Sequence, residues 1–164
     1  MSDSHDDSQR DDQDGPDDQS GPDEQHRVPE GVDEATVDAV GRLTEALEIV
    51  EQARGLLYTF HRLTGKADFV LSDASAKLRD AGHEAIADRI DADLVGRNVL
   101  DGRWTFQIVE DYDDGYWEPF RTLERETRDE LVAGRRHLAE AAMKEDRRTH
   151  GAAHHEAVPP TTGP

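Results

Sequence analysis

Over residues 37–64 the apolar side chains recur at steps of three and four: Val37, Val40, Leu43, Leu47, Val50, Ala53, Leu57, Phe60 and Thr64. This spacing lays one stripe along a helix and predicts a helix over 33–64, with Asp33 as N-cap and Gly65 as the left-handed residue that ends it. A second face follows in Phe69, Val70, Ala74, Leu78 and Ala81 and stops at Gly82-His83, after which Ile86, Ile90, Leu94 and Val95 mark a third helix. The last helix is expected to begin near Glu118-Pro119, because proline is tolerated in a first turn. Its stripe would be Trp117, Phe120, Leu123, Thr127, Leu131, Gly134, Leu138 and Ala141, continuing to Arg148. Residues 102–115 depart from this pattern, since Trp104, Phe106 and Ile108 alternate with Thr105 and Gln107. Alternation argues for a strand, but a lone strand has no partner, so a short helix or an ordered loop across the end of the bundle is expected.

The elements together predict an all-α protein, an antiparallel helical bundle of coiled-coil character with two long and two shorter helices. The short pair forms either a hairpin or a broken helix bent at Gly82. Flanking it, residues 2–27 contain no aliphatic or aromatic side chain and set ten Asp and Glu against two Arg, a formal −8. Such a stretch cannot bury enough surface to offset its ordering entropy, so 1–32 is expected to be a disordered acidic tail. Proline-rich 150–164 is expected to be a second disordered tail, which leaves 33–149 as the bundle domain.

Charge narrows the function classes. The chain has 38 acidic and 19 basic residues, a formal −19, which opposes generic binding to nucleic acid or to anionic membrane. It has no cysteine, so thiolate metal sites, disulfides and cysteine nucleophiles are excluded. No apolar run is long enough to cross a bilayer, which makes the cytoplasm the expected compartment. Only three lysines accompany sixteen arginines, a bias that a GC-rich genome or adaptation to high salt would each produce.

Candidate chemistry is sparse. None of the eight histidines has Glu three residues before it, which disfavours a carboxylate-bridged di-iron bundle site. His137 with Glu140, and His61 near the first stripe, leave a mixed metal site open; solvated or hydrogen-bonded histidines are the preferred reading, and no metal or other cofactor is expected. His150, His154, His155 and Glu156 lie where no core holds a geometry. Asp111, Asp113, Asp114 and Gly115 fail the calcium-loop spacing and are read as acidic residues at the start of the final helix. No phosphate-binding loop, dinucleotide fingerprint or nucleophile elbow occurs.

Two candidate sites remain. Six of the nine aromatics, Trp104, Phe106, Tyr112, Tyr116, Trp117 and Phe120, fall within seventeen residues. They would line a pocket with Arg97, Asn98, Arg103 and Glu110 as polar contacts, or else plug the end of the bundle. On the last helix Arg121, Arg125, Arg128 and Arg135 share a face suited to an acidic partner or to the chain's own acidic tail, with a solvated, salt-bridged surface as the simpler reading.

At Leu78-Arg79-Asp80-Ala81-Gly82-His83, at Val95-Gly96-Arg97-Asn98-Val99-Leu100-Asp101-Gly102-Arg103-Trp104-Thr105-Phe106-Gln107 and at Met143-Lys144-Glu145, the chain resembles an uncharacterised family of small acidic all-helical proteins common in actinobacteria. The likeness spans roughly 35–157. It implies an actinobacterial cytoplasmic setting and carries over no catalytic residue. The function expected from the sequence is a protein-protein interaction or scaffold module with an unidentified protein partner. The alternatives are a small-molecule-binding protein or enzyme using 97–120, and an acidic mimic of nucleic acid. A homodimer is a further expectation, because Leu56 and Leu63 lie beside the first stripe where one helical pair does not cover them.

Overall fold

The computed structural model describes residues 21–158, and its spine is a single helix, α1 (Glu34–Asp80), of 47 residues. At about 1.5 Å per residue α1 is about 70 Å long. Asp33 caps it as predicted, its Oδ1 accepting the Thr36 amide proton at 2.8 Å. The helix runs straight through Gly65, where the sequence predicted an end. The stripe that packs against the rest of the chain is Val40, Leu43, Leu47, Val50, Arg54, Leu57, His61, Thr64, Asp68, Leu71, Ser75 and Leu78, an unbroken repeat of three and four. Ala53 and Phe60, read as part of this stripe, belong to the neighbouring face. Of its polar members Arg54, His61, Asp68 and Ser75 are satisfied across the contact by Asp113, Thr105, the Gly96 amide and the Ala87 carbonyl respectively. The apolar pattern pauses near 65 only because the positions facing inward there are hydrophilic. The real stop is Gly82, in the left-handed region at φ 86°, where its own amide donates to the Arg79 carbonyl and that of His83 to Leu78.

The chain then descends alongside α1. Helix α2 (Glu84–Asp93) is followed by a loop, then α3 (Thr105–Tyr112), a π-helical turn (Asp113–Trp117) and α4 (Glu118–Val132). Side-chain hydrogen bonds between the two arms join 75 to 87, 68 to 96, 61 to 105, 54 to 113, 51 to 117 and 44 to 124. Partner numbers fall as α1 numbers rise, so α1 and the whole descending arm form one antiparallel helical hairpin. The loop is fastened to it: the Trp104 indole donates to the Gly96 carbonyl at 3.2 Å, and a tight turn links Leu100 and Arg103 through two backbone bonds. Gln107 Oε1 accepts the Trp104 amide proton at 2.8 Å and starts α3, so the alternating segment is helical from Thr105 onward.

The last helix stops well short of Arg148. Ala133 and Gly134 take positive φ, and after a bend at His137 a separate helix, α5 (Leu138–Arg147), turns back onto the first turns of α1. There Leu138 packs with Val40 and Val132, and with the half-buried Val32 and Val37. Two long helical rods, 34–80 and 105–132, and two short ones, 84–93 and 138–147, make the bundle. The number matches expectation, but the division differs: the first two predicted helices are one, the predicted last helix is two, and the alternating segment joins the second long rod. No helix among the described residues is long and apolar enough to cross a membrane.

The described flanks lie beside α5 and the turn that precedes it. Asp23 caps a 3-10 turn (Glu24–His26), the Arg135 guanidinium donates to the Arg27 carbonyl, and Lys144 Nζ reaches the Ala157 carbonyl at 3.1 Å. The remaining parts of the predicted tails, 1–20 and 159–164, lie outside the described residues.

Two glycines test where α1 ends. A Cβ at Gly65 meets nothing within 4 Å, and Gly65 lies inside the helix. Gly65→Ala is therefore expected to stabilise the protein by about 0.5–1 kcal/mol, and Gly82→Ala, at positive φ, to destabilise it by about 1–2 kcal/mol, in urea unfolding. A loss of stability in Gly65→Ala would place the helix end at 65 after all.

Candidate interaction surface

The π turn decides which residues of the descending arm meet α1. Continuing the spacing of three and four from Thr105 and Val109 would bring Tyr112, Tyr116, Phe120, Leu123, Thr127 and Leu131 inward, four of which belong to the stripe the sequence predicted. In the π turn the Glu118 amide bonds instead to the carbonyl of Asp113, five residues back. The one extra residue rotates the arm by about 100°. Trp117, Glu124, Arg128 and Val132 consequently face α1, in register with Asp113, so that of the predicted stripe Trp117 stays inward while Phe120, Leu123, Thr127 and Leu131 are turned aside. Glu124 is buried and accepts from Thr44 Oγ1 at 3.0 Å and from Arg128 Nε at 3.1 Å, while Arg128 Nη1 also donates to the Gly134 carbonyl at 2.6 Å.

One side of the hairpin is polar. Arg54 forms a two-pronged pair with Asp113 at 2.8 and 2.9 Å, and the Tyr58 hydroxyl donates to the same carboxylate at 2.8 Å. The Arg54 guanidinium lies 4.1 Å from the centre of the Trp117 ring, with Arg121 at 5.2 Å, and the Trp117 indole donates to Glu51 at 2.8 Å. Hydrogen bonding from Arg54 holds the Asp113 carboxyl below its ordinary range. The bond to Asp113 raises the Tyr58 phenol above its ordinary value, and the same carboxylate raises Arg54.

The other side is apolar and uncovered. On α1 it consists of Ile49, Leu56, Phe60, Leu63 and Val70, which are 41–71% exposed, with Ala46, Ala53, Ala67 and Ala74 between them. On the descending arm it consists of a ladder of Tyr112, Tyr116 and Phe120, with ring centres 5.5 and 6.0 Å apart, followed by the exposed Leu123 and Leu131. Each stripe is rotated by about 100° in the same sense from the stripe its own helix turns toward the other arm. Because the helices are antiparallel, equal rotations bring both stripes to the same side of the hairpin. Among the described residues six apolar side chains are buried, Val40, Val50, Ala87, Val109, Val132 and Leu138.

The residues singled out from sequence are not gathered into one site. Arg97 donates to the Asp93 carbonyl, Asn98 is exposed in the loop, Arg103 pairs with Asp111 at 2.7 Å, and Glu110 and Phe106 are exposed on α3. Trp104 is bound to the loop, Tyr116 lies on the apolar side and Trp117 on the polar side. A cavity of about 230 Å³ lies at the opposite end, among Pro22, His26, His137, Glu140, Lys144 and Glu145, and has no aromatic ring from 104–120 in its wall. The arginine stripe is also divided: Arg121 lies by Trp117, Arg125 is exposed, Arg128 is half-buried on Glu124, and Arg135 is past the end of α4.

His61 hydrogen-bonds Thr105 at 2.7 Å at the start of α3. His137 lies 3.6 Å from Glu140, and Glu48 of α1 brings a third potential metal donor to within 4.8 Å of both. All three are exposed, and sequence reasoning missed Glu48 because it is some ninety residues away along the chain. The apolar face was also missed as a whole, although Leu56 and Leu63 signalled it. No protein family, curated protein or solved structure matches the chain.

The Asp113 pair has a pH signature. A carboxyl lowered in the folded state contributes stability that is present above its unfolded pKa, about 3.9, and is lost as pH falls through the lower folded value. Asp113→Asn is expected to cost about 1–2 kcal/mol at neutral pH, a discounted value because the pair keeps some contact with water. In thermal melts its gap from the unsubstituted protein should close below about pH 4. A gap of constant size down to pH 2 would show that the ionised pair contributes nothing.

Proposed function

We propose that this chain is a helical interaction module whose apolar face, built from α1 and the descending arm, is the docking surface for another helical element. The observation that carries this reading is the disposition of Ile49, Leu56, Phe60, Leu63, Tyr116, Leu123 and Leu131, which form one contiguous side and stay exposed while the opposite side is closed by hydrogen bonds and ion pairs. Contiguous exposed apolar surface of this extent marks an interaction site in a soluble protein. Each of these side chains, once fully buried, contributes roughly 1.5–3 kcal/mol, so the face favours a helix laid into the groove between its two ridges. The arm presents its stripe on a rigid, π-shifted helix, which limits the ordering entropy of docking.

The test is affinity capture from the native organism with the full chain, with Leu56→Glu/Leu63→Glu and with Phe69→Glu. Phe69 is 79% exposed on a different face of α1. Captured proteins are expected to be lost with the first variant and retained with the second, both variants keeping the helical circular dichroism of the parent. Equal capture by all three chains would remove the apolar face from consideration.

A further inference from the structure

We infer that the occupant of this face is a second copy of the chain, docked so that the two α1 helices run antiparallel about a two-fold axis passing near Gly55; the inference rests on reading the face as a docking surface. The first support is the face's own repeat. Along α1, Ala46, Ala53, Phe60, Ala67 and Ala74 alternate at three and four residues with Ile49, Leu56, Leu63 and Val70. This is a second coiled-coil seam, about 100° from the one that binds the descending arm. A helix with two seams at that angle has two helical neighbours, as in a four-helix bundle, and the chain itself supplies one of them.

The second support is charge. On the edge of the seam away from the descending arm stand Glu45, Gln52, Thr59 and Lys66, seven residues apart. Antiparallel pairing about Gly55 places Glu45 beside Lys66 of the second copy and Gln52 beside Thr59 of the second copy, each pair occurring twice. A parallel pairing would put the two copies' Glu45–Lys66 edges on opposite sides of the seam, so that neither pair would form. In the antiparallel register Ala53 packs on Leu56 of the second copy and Ala46 on its Leu63, small against large. The same axis crosses the descending arm near Asp113, which is level with Arg54, and brings Leu123 level with the exposed Leu100 of the second copy.

The third support is size. The stripe from 46 to 70 is roughly 37 Å long, and a face two helices wide spans about 20 Å. The footprint, roughly 700 Å², is close to the about 800 Å² per partner of a stable interface.

The experiment uses the full chain and its lack of cysteine. Sedimentation should give twice the 18.3 kDa chain mass, Leu56→Glu should return it to the single-chain mass with helicity retained, and Phe69→Glu should leave the dimer intact. Under oxidation, a mixture of Gln52→Cys and Thr59→Cys chains should form a disulfide-linked dimer, whereas each chain alone should not, because like positions lie about 10 Å apart along the axis. Glu45→Lys should weaken the dimer, and Glu45→Lys/Lys66→Glu should restore it. A single-chain mass for the unsubstituted protein, or cross-linking within each cysteine variant but not between them, overturns the inference. In the first of those cases, loss of captured partners with Leu56→Glu/Leu63→Glu would still uphold the docking face itself.

Discussion

The extra residue in the π turn at Asp113–Trp117 is the constraint from which the remaining features of the arm follow. It sets the rotational phase of everything after it, and its first residue is held by Arg54 and Tyr58 of α1. Because of that one residue, a helix whose apolar pattern suits a buried stripe instead turns Glu124 and Arg128 toward α1 and carries Tyr116, Leu123 and Leu131 on a separate face. A regular helix over the same residues would have buried the aromatic ladder and left the ion pair in solvent. The π turn therefore does more than join α3 to α4: it assigns one stripe to folding and the other to the surface.

The contact within the hairpin is unusually polar for a helical pair. Thr44, Arg54, His61, Asp68 and Ser75 of α1 are answered by Glu124, Asp113, Thr105, the Gly96 amide and the Ala87 carbonyl of the arm respectively. Buried pairs of this kind add little net stability against well-packed apolar residues, but they penalise any register that leaves them unpaired. Along a helix of about 70 Å, where many sliding registers would satisfy leucines alone, such pairing selects one alignment. The close approach of Ser75 to Ala87, both almost completely buried, acts in the same direction through shape.

A hairpin two helices thick has little interior. Among the described residues, the clustered core of Val40, Val132 and Leu138 lies where α5 adds a third helix over the start of α1. Elsewhere the structure is a ribbon with a hydrogen-bonded side and a greasy side, and the greasy side has the dimensions and the charge edges of an interface. Stability and association are coupled in such an architecture, since a partner that binds only the folded chain adds to its stability.

Much of the fold is legible in the residues alone. The spacing of three and four, the Asp33 cap, the turn at Gly82 and the proline at the start of α4 depend on local backbone chemistry, and each is found where the sequence places it. So is the all-helical class, because no segment with strand alternation has a partner to pair with. Leu56 and Leu63 could be recognised as uncovered because a helical pair leaves one flank open. What the chain's own periodicity did not determine is which of two adjacent stripes faces inward. Adjacent heptad seams differ by a rotation of about 100°, and apolar counting favours the greasier one. Only tertiary contacts from distant parts of the chain, such as Arg54 with Asp113, Thr44 with Glu124 and Asp68 with the Gly96 amide, make the polar seam the buried one, keep α1 helical past Gly65 and bring Glu48 beside His137. Those pairings belong to no local pattern, because their energy exists only once the hairpin has closed.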